Sequence, residues 1–163
     1  MSVAAILVAV ELVEEDRALL EAADLQAKAL GAELYLVHVV PPEADFVGRP
    51  KQAEANPASP DDDVEVGYAY DRSVAADRMR AARDELHAVR DRLAAAGLSV
   101  SALLIEGEPA EKIAEEARRL CCGLIVVGAH QRGLLGKWLH GSTSRELLRD
   151  APCPVLVVPV SRR

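Results

Sequence analysis

Three short runs of this chain are apolar without interruption. Val3 to Val10 holds no polar side chain before Glu11, Leu124 to Val127 runs up to Gly128, and Val155 to Val158 lies between Pro154 and Pro159. A strand with one wet face alternates apolar and polar residues. A run that is apolar at every position needs cover on both faces, as the strands of a parallel sheet have between layers of helices. The segments between these runs must therefore supply helices.

They do. In Asp16 to Leu30 the residues Leu19, Ala23, Ala27 and Leu30 recur at helical spacing, and Gly31 stops the helix. Leu34 to Val40 reads as a second strand, ended by Pro41-Pro42. A helix over roughly 73–96 places Met79, Ala82, Leu86, Val89 and Leu93 on one face. Its other face carries Arg78, Arg80, Arg83, Asp84, Arg90, Asp91 and Arg92, a solvated charged face. Gly97 stops it, and Leu98 to Ile105 reads as the third strand. Gly107-Glu108-Pro109-Ala110 turns the chain into a helix with Pro109 near its first position, where a missing N–H costs little. Ile113, Ala117 and Leu120 mark its buried face. The last helix is expected over 142–150.

The order predicts one α/β domain over 1–163: a five-stranded parallel sheet with helices on both faces. Strands one and four should flank the crevice at the carboxyl ends, where such folds bind ligands. Residues 41–67 differ, with five of the nine prolines and the run Asp61-Asp62-Asp63. They are expected to form a flexible excursion on the ligand side, a lid or a partner-binding segment.

Composition excludes several functions. The net charge is −7 and no basic run is present, which argues against nucleic acid or an anionic membrane as main partner. Aromatics are 3% of the chain, too few for base-stacking platforms. No apolar run approaches the roughly 20 residues that span a bilayer. The three cysteines, Cys121, Cys122 and Cys153, form no disulfide framework and fit a reducing cytoplasm. Cys121 and Cys122 are expected to be buried small apolar residues, and Cys153 to pack under the final strand. His38 is expected to be a hydrogen-bonded core residue.

The chemistry-bearing stretch is 123–159. A buried strand ends at Gly128, and a loop with Gly133, Gly136 and Gly141 leads to Ser142-Thr143 and a helix. Strand, glycine-bearing loop and helix N-terminus together make an anion pocket, because free backbone N–H groups and the positive end of the helix dipole face the ligand. Arg132 and Lys137 add cations. Ser142 is equally explained as a helix N-cap, and Thr143 with Glu146 as a capping box. Gly136-Lys137 does not end a P-loop, since Trp138 replaces the Ser or Thr that would meet the metal. His130 and His140 lack partners at ligand spacing, so no metal held by protein alone is expected. No nucleophile–base pair is visible, and no catalytic residue is assigned.

Taken together, ILVAVE at the start, LYLVHVV, EGEPAEKI, LIVVGAH, RGLLGKWLHGSTS and the ending APCPVLVVP resemble the universal stress protein (UspA-like) family over nearly the full chain. The resemblance implies a Rossmann-like fold of the adenine nucleotide alpha hydrolase-like kind, with strand order 3-2-1-4-5. It implies a cytoplasmic stress-response homodimer, paired through Val155 to Val158, which a monomer would leave as an exposed apolar edge. It implies a regulatory module that binds an adenine nucleotide (ATP, or AMP or ADP) with Mg²⁺ and hydrolyses ATP slowly at most. The residues implied for the ligand are Ala9, Val10, Glu11, Val39, Val127, Gly128, His130, Gln131, Gly141, Ser142 and Thr143. Two depart from the ATP-binding pattern: Gln131 stands at the middle glycine of the loop, and Glu11 replaces an aspartate. Gln131 either fills the pocket or hydrogen-bonds the ligand. The alternative reading is the same fold and dimer without nucleotide, serving an unknown protein partner.

Overall fold

In the computed structural model, described for residues 3–13, 16–41, 64–129 and 147–159, five parallel strands form one sheet in the order β3-β2-β1-β4-β5. The elements are β1 (Ala5–Ala9), α1 (Asp16–Leu30), β2 (Glu33–Val40), α2 (Val64–Ala95), β3 (Val100–Glu106), α3 (Pro109–Arg119), β4 (Leu124–Ala129) and β5 (Val155–Pro159), with a helical stretch at 147–150 before β5. β1 is central. Ala9 pairs with Val37 of β2 on one side and Val127 of β4 on the other.

All five residues of β1 are buried because helices cover both sides. Alternation along the strands divides the side chains between two cores. One contains Ile6, Val8, Val10, Leu34 and Leu36 with Leu19 and Ala23 of α1 and Leu86 and Val89 of α2. The other contains Leu7, Ala9, Val37, Val39, Ile125 and Val127 with Ile113, Ala114 and Ala117 of α3 and Leu147. Each fully buried leucine or isoleucine in these layers contributes about 1.5–3 kcal/mol relative to an exposed one.

The three helices end alike. The N–H two residues past each C-cap bonds back to a carbonyl near the end of the helix: Ala32 to Ala27, Leu98 to Leu93 and Cys122 to Ala117. In each case the residue between has positive φ: Gly31 at 63°, Gly97 at 90° and Cys121 at 50°. The first two are the glycine stops visible in the sequence. The third does the same work with a residue that carries a Cβ.

Several expectations need correction. α2 starts at Val64, not near Ser73. Residues 64–72 hold no proline, and a helix nucleated further along extends at little cost until something stops it. Residues 64–67 are thus helical, and 42–63 of the expected excursion lie outside the described residues. β4 does not stop at Val127. Gly128 and Ala129 stay in the ladder, opposite Val158 and Pro159. Cys121 is exposed, because the left-handed turn points it away from the core; Cys122 is buried as expected. Arg78, Arg80, Arg83, Asp84, Asp91 and Arg92 of α2 are exposed, as the helical pattern requires. No helix among the described residues is long and apolar enough to cross a membrane.

Candidate functional site

The strand order reverses direction between β1 and β4, so the crevice at their carboxyl ends is where this topology admits a ligand. Ala9, Val39 and Val127 share the α3 side of the sheet there and are buried, at 3%, 7% and 4% exposure. All three are apolar and belong to the core layer packed against α3. Val10 is different. Its side chain packs in the opposite core, with Leu19 and Leu36, so it offers the crevice only its backbone. Gly128 is buried at the end of β4. Glu11 follows β1 and is half-buried. His130, Gln131, Gly141, Ser142 and Thr143 lie outside the described residues, as do Arg132, Lys137 and His140.

The turn after β1 is organised by a residue that the sequence reading treated only as a helix start. Asp16 is 3% exposed. Its Oδ2 accepts the N–H groups of Glu11 at 2.9 Å, Leu12 at 2.7 Å and Val13 at 3.3 Å. A carboxylate so held makes several charge-assisted bonds. Leu12 sits at φ 60° inside this loop, a conformation that a leucine rarely adopts. The signal in the sequence was an aspartate at the first turn of a helix, a few residues after a strand. On the other side of β1, His38 is hydrogen-bonded as expected, its Nδ1 donating to the Val10 carbonyl at 2.8 Å, but it is half-buried and not a core residue.

Two chemical consequences follow. The N–H groups of Glu11, Leu12 and Val13 are already taken by the Asp16 carboxylate, so they are not offered to an anionic ligand. Among the described residues no three His, Cys, Asp or Glu side chains gather to hold a metal ion.

The chain matches the family model described as "Universal stress protein family" over residues 3–159. It belongs to the universal stress protein family. A curated relative from Thermus aquaticus, "Universal stress protein in QAH/OAS sulfhydrylase 3'region", is 33% identical over 83% of this chain and 84% of its own length. A universal stress protein solved in complex with cAMP is 21% identical with a TM-score of 0.61, covering 99% of this chain and 100% of its own. Another, from Archaeoglobus fulgidus in complex with dAMP, is 19% identical with a TM-score of 0.59, covering 97% of this chain and 99% of its own. These two likenesses carry the Rossmann-like fold.

Elsewhere the family chain holds polar groups that do not reach the crevice. Tyr35 and Ser101 both donate to Glu33, at 2.9 and 3.2 Å, at the amino ends of β2 and β3. The Tyr35 hydroxyl is pushed up chiefly by that hydrogen bond to Glu33. The Cys122 thiol is pushed up to about 11 by burial, which keeps it protonated and unreactive at neutral pH.

Proposed function

We propose that this universal stress protein is a cytoplasmic, dimeric module that binds an adenine nucleotide, ATP or its mono- and diphosphate relatives, and reports its occupancy to other proteins. The observation that carries this reading is the apolar set of Ala9, Val39 and Val127 at the carboxyl end of the sheet, with half-buried Glu11 following β1. A purine face stacks on an apolar surface, and a carboxylate accepts from ribose hydroxyls or an exocyclic amine. The cAMP and dAMP complexes of structural neighbours supply the ligand class.

Polarity sets the ligand's direction. The nucleoside lies toward β1, and the phosphates point away from Asp16, over the end of β4. Gly128, with no side chain, lets phosphate or ribose approach the backbone there. The described residues fit the nucleoside but offer no cluster for a free metal ion. Mg²⁺ would therefore arrive on the phosphates, whose charge it neutralises. Binding with at most slow hydrolysis is part of this reading. Pairing of two protomers through β5 is part of this proposal: β5 is an edge strand, and edges of this kind pair.

The test is a calorimetric titration of ligand-stripped protein with ATP and Mg²⁺. Micromolar affinity that weakens on Glu11→Ala supports the reading. No heat at millimolar ATP points to the second reading, a nucleotide-free interaction module, which Gln131 in place of a loop glycine favours. In that case Gln131→Gly raises ATP affinity by about ten-fold or more, or about 1.4 kcal/mol.

A further inference from the structure

We propose that His38 and Asp16 are positioning residues that clamp the Val10–Glu11 peptide from both sides and so aim the Glu11 carboxylate into the crevice. The carbonyl of this peptide accepts from His38 Nδ1 at 2.8 Å. Its N–H donates to Asp16 Oδ2 at 2.9 Å. A carbonyl oxygen can only accept, so Nδ1 must carry a proton and the ring is held in one tautomer when neutral. The two anchors come from different elements, β2 and α1, so the peptide plane is fixed by two independent parts of the fold.

Neighbouring groups leave the plane little freedom. The N–H of Val10 donates to the Val37 carbonyl at 2.9 Å. The N–H of Leu12 donates to the same Asp16 oxygen at 2.7 Å, which holds Leu12 in its positive-φ conformation. Asp16 is 97% removed from solvent, given its 3% exposure, and the Leu12 side chain packs on the α1–α2 core. Glu11 is half-buried and directly follows the strand end that this clamp fixes. A group held before the ligand arrives loses less entropy on binding, and affinity rises accordingly. The effect on affinity rests on the nucleotide reading above; the clamp itself does not.

The experiment compares His38→Leu, which removes the donor, with His38→Asn, which restores an N–H near the Nδ1 position, and with Asp16→Asn, which keeps the shape but lowers the acceptor's charge. Two quantities are read: ATP–Mg²⁺ affinity by calorimetry, and amide hydrogen exchange of Glu11 and Leu12 in the ligand-free protein by NMR. The expected result is about ten-fold weaker binding for His38→Leu, with recovery to within about three-fold for His38→Asn. Exchange at Glu11 should accelerate in His38→Leu and Asp16→Asn and recover in His38→Asn. A general loss of stability would move both His38 variants together. The proposal is overturned if His38→Leu binds like the wild type, or if His38→Asn is no better than His38→Leu. Should the wild-type protein bind no nucleotide, the functional reading fails by itself. The clamp is then judged on exchange: faster exchange at Glu11 in both His38→Leu and Asp16→Asn upholds it, and unchanged exchange sinks it.

Discussion

The two ends of the sheet are built on different physics. At the amino end the chain returns from α1, α2 and α3 through three turns of one kind, closed by backbone bonds, and the polar group of Tyr35, Glu33 and Ser101 there closes none of them. At the carboxyl end the turn after β1 is closed by a buried carboxylate and an imidazole. Backbone closure tolerates many sequences. Closure by Asp16 and His38 depends on particular side chains, and it fixes the peptide that leads into half-buried Glu11. Side-chain closure is found at the end where a ligand is expected.

The largest effect that would test this contrast is at Asp16. Asp16→Ala removes three hydrogen bonds to a buried charge and should lower stability by about 3 kcal/mol, read from chemical denaturation. A loss under about 1 kcal/mol would mean that water replaces the carboxylate and that the two ends are not so different.

The second effect is on pH and belongs to the amino end. Burial raises the Cys122 thiol from 9.0 to about 11 in the folded protein. The folded state therefore holds this proton more tightly than the unfolded chain. The stability it contributes is complete below about pH 9 and is lost as pH rises through about 11. Cys122→Ala should flatten that alkaline decline in denaturation curves, and at pH 8 a thiol reagent should label exposed Cys121 well before Cys122.

Next come two positive-φ positions, one at each end. Gly107 lies at φ 142°, and a Cβ there would come within 2.9 Å of the Lys112 side chain. Gly107→Ala should cost about 1–2 kcal/mol by thermal or chemical melting. Cys121 lies at φ 50° with its side chain in solvent, so Cys121→Gly relieves strain without losing packing. It should stabilise the fold by about 0.5–1 kcal/mol. Equal destabilisation by both changes would contradict the geometry.

The smallest effect sharpens the comparison within the carboxyl end. Glu108 is the N-cap of α3 but makes no side-chain cap hydrogen bond. Glu108→Ala should change stability by less than about 0.5 kcal/mol, against the large loss at Asp16.

Much of this was legible in advance because it depends on local patterns. The apolar runs that became β1, β4 and β5, the spacing of Leu19, Ala23 and Ala27 on α1, and the stops at Gly31 and Gly97 are features of neighbouring residues. Departures arose where no local mark exists. Cys121 holds a position usually given to glycine, so nothing announced its exposure. Gly128 looked like the start of a loop, but pairing with Val158 keeps it in the strand. The early start of α2 at Val64 follows directly on Asp63, a capping residue type hidden in a polar, proline-rich stretch.

The sequence by itself determined the layers, since periodicity decides which surfaces must be buried, and the strand order through its family; the residues around the crevice came from that family resemblance alone. Only the tertiary structure decided how those residues are used. It turned Val10 into the opposite core while leaving Ala9, Val39 and Val127 in the layer against α3. It brought His38 and Asp16 onto one peptide, although 22 positions separate them in the numbering of the chain. Hydrogen bonds between elements depend on strand register and on where a helix docks, and no short stretch of sequence encodes either.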